Sequence, residues 1–277
     1  MSHSEKRAPT LRRLVLPLFV LLLVSAGCEV NVQPPTSPCT VCAAVQWGDP
    51  AGRIDVVFVP DNDYGDLSVA ANLSVFLADI SNMIDEGFWQ SNGLASNLGA
   101  FNFWYMTATG DVQPPAGAAI CPSVTWPDLT DAAFAETFVM LHTNDLRDCA
   151  SGNRFTSEPT SFRTVVHEFS HSGFGLPDEY CCDGGYWGVS PILYNTEADC
   201  LADPANAAWR DCESFISASG NDWWRSEDSI VDIMSQGGAV VCEYGPADWV
   251  VARGVLSGLG LSTADPSVYA PDPWDWP

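Results

Sequence analysis

Two histidines four residues apart constrain this chain more than any other pair of side chains in it. Residues 167–180 read His-Glu-Phe-Ser-His-Ser-Gly-Phe-Gly-Leu-Pro-Asp-Glu-Tyr. His167 and His171 stand at i and i+4, so a helix through them projects both imidazoles from one face, about 6 Å apart. That separation suits two neighbouring positions of a tetrahedral Zn²⁺. Glu168, next to the first histidine, leans toward the open side of such an ion. A carboxylate there can take a proton from metal-bound water and return it to a leaving amine. The flanking sequence predicts a helix over about 161–174. Pro159-Thr160-Ser161 offers an N-cap, Phe162, Val165, Val166 and Phe169 form an apolar face, and Gly173 and Gly175 can end the helix and turn the chain back.

Two histidines do not complete a site, and the chain holds only four histidines. Asp178, just past the glycine turn, is separated from His171 by enough chain to fold back beneath an ion. Glu179 is the next choice for the third ligand and His142 the one after. His142 ends a strand candidate, where it also reads as a polar strand end facing a cleft.

The remaining pattern is α/β. Ile54–Val59 is a buried strand that runs into a turn at 60–65, and Phe101–Thr107 and Thr137–His142 are further strand candidates. Apolar residues at Leu67, Ala70, Leu73, Phe76, Leu77, Ile80 and Ile84 give a helical period over 67–86. Another helix is expected over 246–259. Interleaved strands and helices predict one α/β domain over about 52–262, with a tail at 263–277. Asp61, Asn62, Asp63 and Asp66 lie close together but lack the twelve-residue spacing of a calcium loop, and read as a solvated turn.

The N-terminus predicts export. A basic stretch precedes the apolar run at 14–26, whose thirteen residues reach only about 20 Å as a helix, too short for a ~30 Å hydrocarbon core. Such an arrangement reads as a secretory signal over 1–27. Val24-Ser25-Ala26-Gly27-Cys28 resembles a bacterial lipobox, which makes Cys28 the lipidation site and, with Glu29 after it, favours the outer membrane. Residues 28–51, rich in Pro and small side chains, read as a lipidated cysteine and a tether. The membrane is then reached by lipid anchor only. Ten cysteines in an exported chain indicate disulfides, with Cys39-Thr-Val-Cys42 a structural one. Thirty-five acidic residues against eleven basic ones give a net charge of −24, which repels phosphates and excludes nucleic acid as a partner.

The His-Glu-x-x-His arrangement is the helix-borne signature of zincins. In particular, HEFSHSGFGLPDEY resembles the zinc motif of bacterial IgA-peptidase-type metallopeptidases, close to HExxHxxxGLxDEY. The likeness covers roughly 53–250, strong at 167–180 and faint elsewhere. Arg53–Val59 with its following turn is similar to the family's first strand, although Pro60 and Asn62 break the turn's consensus. Ala100–Thr107 resembles its Phe-Asn strand and Phe138–Asn144 its edge strand. Ile233-Met234-Ser235 falls where that family has a Met-turn, and Cys242 where it places a cysteine. The resemblance implies a zincin or metzincin-like domain, with a twisted mixed sheet, an active-site helix and an apolar floor at Met234. It also implies zinc on His167, His171 and Asp178, with Glu168 as general base. After Tyr180 the chain departs from the pattern at Cys181-Cys182, which reads as a loop staple rather than as inhibitory ligands.

The expected activity is zinc-dependent hydrolysis of peptide bonds in a protein or peptide substrate, through a zinc-bound water with Glu168 as base. The strand around 137–142 would pair with extended substrate. Tyr180, Tyr244 and His142 are the candidates for a second oxyanion donor. Two other classes remain open: a surface-anchored binding lipoprotein without turnover, and a zinc hydrolase of a non-peptide amide. Retention of Glu168 argues against the first, because a binding module does not need that carboxylate.

Overall fold

The computed structural model describes residues 30–35, 39–117, 119–179, 192–203, 212–216, 222–226, 232–234 and 243–266. In chain order the strands are β1 (Val41–Val45), β2 (Ile54–Pro60), β3 (Phe101–Met106), β4 (Asp111–Gln113), β5 (Ser123–Thr125), β6 (Thr137–Leu141), β7 (Ala150–Ser151), β8 (Arg154–Ser157), β9 (Leu193–Tyr194), β10 (Cys212–Ile216) and β11 (Asp222–Ser226). The helices are α1 (Ala70–Asn82), α2 (Asn92–Ala95), α3 (Phe162–Phe169), α4 (Glu197–Ala202) and α5 (Pro246–Gly258). The protein is mixed α/β, built on a six-stranded mixed sheet in the order β1-β3-β2-β6-β8-β7.

The four inner strands are parallel, and β1 and β7 close the two edges antiparallel. β2 is buried along its whole length. A continuous apolar run such as IDVVFV belongs in a parallel strand covered on both faces. One face carries Val56, Phe58, Phe103, Tyr105, Val139 and Leu141, packed with Phe76, Ile80, Val165, Phe169 and Trp249 from α1, α3 and α5. The other presents Val57, Val59, Met106, Phe138 and Met140 to the β4–β5 hairpin and to Trp126. Fully burying one such aliphatic or aromatic side chain contributes about 2 kcal/mol, so the sheet is held from both sides.

Helix α1 does not stop at Asn82 but widens into a π-helical turn over Met83–Phe88, whose Gly87 lies against the start of α3. A Cβ on Gly87 would come within 2.9 Å of the Phe162 carbonyl oxygen, so the absence of a side chain permits this approach. Phe88 meets Phe169 edge-on at 5.1 Å, which couples the π turn to the helix carrying the two histidines.

Several expectations change. β6 pairs with both β2 and β8 and is therefore an interior strand, not an edge. The outer positions belong to the β7–β8 hairpin, turned at Gly152 with φ 60°. The supposed tether supplies β1, and within it Cys39 and Cys42 are joined by a disulfide. Further upstream, Val32 is buried and the Val30 N–H donates to the Asp85 carboxylate at 2.7 Å. The tail begins later than its pattern indicates, because Ala264 exchanges two hydrogen bonds of 2.8 Å with the Asn97 side chain. Asp61 is buried rather than solvated and accepts the Val112 N–H at 2.9 Å, while Asn62, Asp63 and Asp66 are exposed. Burial pushes the Asp61 carboxyl up to about 6, against the pull of backbone N–H donors. Two further disulfides join Cys121 to Cys149 and Cys200 to Cys212. Among the described residues no helix is long and apolar enough to cross a membrane. The signal segment 1–27, Cys28, Cys181, Cys182, Ser235 and Cys242 lie outside the described residues.

Candidate metal centre

Helix α3 begins where the sequence places it, although Ser161 occupies the N-cap position without a side-chain cap. Its hydroxyl faces Glu158 instead, at 3.4 Å from Oε2. After Phe169 the helix widens into a second π turn, Ser170–Phe174, and ends at Gly175 in the left-handed region, φ 70°. The Gly175 N–H returns to the His171 carbonyl at 3.1 Å and the Leu176 N–H to that of Ser170 at 3.1 Å. These bonds satisfy carbonyls that the helix end would otherwise leave open, and they send 176–178 back under the helix.

His167 Nδ1 donates to the Ile233 carbonyl at 2.8 Å, and His171 Nδ1 donates to that of Leu176 at 2.6 Å. With each Nδ1 bonded to a carbonyl, the neutral rings present their Nε2 lone pairs to each other at 3.2 Å. Asp178 Oδ1 completes the triangle, 3.1 Å from His167 Nε2 and 3.2 Å from His171 Nε2. Three lone-pair donors this close repel one another unless a cation or a proton lies between them. A four-coordinate ion with bonds of about 2.0 Å has ligand–ligand edges of about 3.3 Å, so the triangle has the dimensions of one face of such a site. Two neutral imidazoles and one carboxylate also match the donor preference of Zn²⁺. Among the described residues this is the one group of three or more His, Cys, Asp or Glu arranged to hold a metal ion.

Glu168 lies beside the triangle and is 7% exposed. Burial pushes its carboxyl up to about 7; His167 and His171 pull it down, and Asp148 and Asp178 push it up. His171 is shifted upward: burial alone would lower it, but the Asp178 carboxylate close to Nε2 and the nearby Glu168 charge outweigh that.

The other candidate residues separate cleanly. Glu179 is buried but absent from the triangle; its N–H donates to the Met234 carbonyl at 3.0 Å, and its own carbonyl accepts from the Arg225 guanidinium. Arg225 also pairs with Glu213 at 2.8 Å, which ties the β9–β11 sheet to the segment bearing Asp178. Met234 is fully buried in the main core, in a short stretch whose backbone holds both His167 and Glu179.

His142 is fully buried, with Nδ1 3.1 Å from the Asn144 carbonyl and Nε2 3.0 Å from Asp148 Oδ1. Both ring nitrogens face acceptors, so His142 is neither part of the triangle nor available to an oxyanion. Tyr244 is buried beneath the helix. Its hydroxyl lies 2.7 Å from Ser170 Oγ and must donate there, because Ser170 donates its own proton to the Val166 carbonyl. That commitment in the core removes Tyr244 from the oxyanion candidates. Tyr180 lies outside the described residues.

Sequence reasoning missed Asp148, which partners His142 and adds to the field at Glu168. It stands in an irregular stretch between β6 and β7, where no periodicity marks it. No protein-family model matches the chain, and no curated protein matches it.

Proposed function

We propose that this chain is an exported zinc metallopeptidase of metzincin-like architecture, similar to the bacterial IgA-peptidase-type enzymes. The observation that carries the reading is the convergence of His167 Nε2, His171 Nε2 and Asp178 Oδ1 within 3.2 Å, with Glu168 on the same helix beside them. His167, His171 and Asp178 would hold zinc, which would supply polarisation of a scissile carbonyl and acidification of water. His167 and His171 are oriented for that role by the Ile233 and Leu176 carbonyls, and Asp178 by the glycine turn. Glu168 accepts the proton of the attacking water and passes it to the departing amine. Met234 belongs to the buried stretch whose Ile233 carbonyl holds His167.

Among the described residues β7 is the outermost strand on its side and lies against the Ser170–Phe174 turn, and an extended substrate would pair there. Export and anchoring rest on the apolar run at 14–26 and on Cys28, so the substrate is an extracytoplasmic protein or peptide.

The test is a proteome-derived peptide library incubated with the zinc-supplied protein, beside Glu168→Ala, with cut sites read by mass spectrometry. Cuts that vanish in the variant support the peptidase. Cuts that persist in it, or none from protein with zinc bound, would reject it.

A further inference from the structure

A cavity of about 630 Å³ lies at the β7–β8 edge of the sheet, walled by the Cys121–Cys149 disulfide, Trp126, Ser151, Asn153 and Arg154. Hydrogen bonds through β6 link its edge to the turn that follows α3 on the other face of the sheet. Phe138 N–H binds the Asn153 carbonyl at 3.0 Å, and the hydroxyl of neighbouring Thr137 donates to Ser172 Oγ at 2.7 Å, one residue from His171.

Arg154 is the unusual member. The chain carries 35 acidic residues against 11 basic ones, so a surface guanidinium has many carboxylates to choose from. Arg225 and Arg253 each take one, at 2.8 Å. Arg154 makes no ion pair and no side-chain hydrogen bond among the described residues. Its guanidinium lies over the Trp126 ring instead, 5.4 Å from the centroid. Stacking on an indole holds the planar fork in place while leaving its N–H edge free to donate. The half-buried Trp126 and the exposed Arg154 thus present a positioned, unneutralised cation at the mouth of a cavity large enough for a side chain.

We propose that this cavity is a subsite for an acidic side chain, Asp or Glu, of an extended peptide lying along β7, with Arg154 gripping the carboxylate in bidentate fashion. The inference rests on the peptidase reading for the peptide nature of its ligand and adds the class of residue selected. A planar carboxylate matches the guanidinium fork, which the Trp126 ring holds in place. The net charge of −24 opposes an acidic ligand at long range. That repulsion is screened beyond about 8 Å at physiological salt, whereas the contact at Arg154 is not.

The probes are acetyl-Ala-Glu-Ala-amide and its Gln isostere. Each is titrated into the full-length, zinc-loaded protein carrying Glu168→Ala, which prevents cleavage. Trp126 is followed by the NMR signal of its ¹⁵N-labelled indole N–H, assigned with Trp126→Phe. The Glu probe should move that signal saturably, at a concentration about tenfold below that needed for Gln. Arg154→Gln should abolish the difference, and Arg154→Lys, which keeps the charge and loses the fork, should restore part of it. Equal half-saturation for the two probes, an unmoved Trp126 signal, or a preference that survives Arg154→Gln would overturn the subsite.

The library digest separates the two ideas. Cuts without acidic preference, with Trp126 unmoved, sink the subsite and leave the peptidase. A bound Glu probe with no cuts anywhere sinks the peptidase and leaves a carboxylate-binding cavity.

Discussion

The carbonyl of Ile233 accepts the Nδ1 proton of His167 at 2.8 Å across 66 residues of sequence. One backbone oxygen thereby decides which nitrogen of the first histidine is left to bind a metal. An outer partner of this kind fixes tautomer and ring orientation together.

Zinc content is the first consequence to measure. His167→Ala, His171→Ala and Asp178→Ala should each weaken zinc binding by more than about 100-fold in a chelator competition. Glu179→Ala should leave affinity near the parent value, because its side chain is not in the triangle. Loss of zinc from Glu179→Ala with retention in Asp178→Ala would reverse the assignment.

Glu168→Gln should keep zinc and lose turnover by about 10²–10⁴-fold, the range for removing a general base. The informative measurement is kcat together with metal stoichiometry on the same sample. A variant that turns over normally would exclude Glu168 from proton transfer.

Much of this site is legible in the sequence, because helical geometry alone places residues four apart on one face. His167, Glu168, His171, the glycine turn and Asp178 all lie within one short stretch. The partner of His167 is not legible there. Ile233 contributes a backbone carbonyl, which leaves no trace in residue identity. The interior position of β6 was equally hidden, since β7 has two residues and β8 reads Arg-Phe-Thr-Ser, too short and too polar to announce a strand. β1 was missed because Pro-rich composition upstream outweighed five residues of modest β character.

Tyr244→Phe isolates a structural hydroxyl. It removes the bond to Ser170 Oγ and should cost about 1 kcal/mol in denaturant unfolding. Turnover and KM should stay unchanged, because the hydroxyl is committed to the core. A selective fall in kcat at unchanged stability would return Tyr244 to the catalytic set.

His142 predicts a pH dependence of stability. Burial alone would lower its pKa, but the Asp148 hydrogen bond and charge, with smaller help from Asn144 and Glu158, raise it overall. The folded value therefore lies above the unfolded one, near 6.5. The stability this contributes is complete below about pH 6.5 and fades as pH rises through the folded value. Urea midpoints of the parent should fall between pH 6 and pH 8.5, and those of His142→Gln should fall less. Parallel curves would remove this ion pair as the cause.

Gly87→Ala tests how the active helix is seated. The added methyl would meet the Phe162 carbonyl oxygen and Val165 Cγ1, each at 2.9 Å. Overpacking of this kind costs about 1–3 kcal/mol. The thermal midpoint should drop accordingly, and a neutral result would mean that the π turn shifts freely against α3.

The grip of Ile233 on His167 and of Met234 on Glu179 has a consequence for the nascent chain. An unfolded polypeptide carries both histidines and the aspartate, yet does not hold the Ile233 carbonyl against His167 or the Met234 carbonyl against the Glu179 N–H that follows Asp178. Closing so long a loop is an entropic cost met only when the surrounding core has assembled. A peptide spanning 161–179 should therefore hold zinc far more weakly than the intact protein, and metal uptake becomes a reporter of completed folding. An incompletely folded chain carries the motif without its geometry.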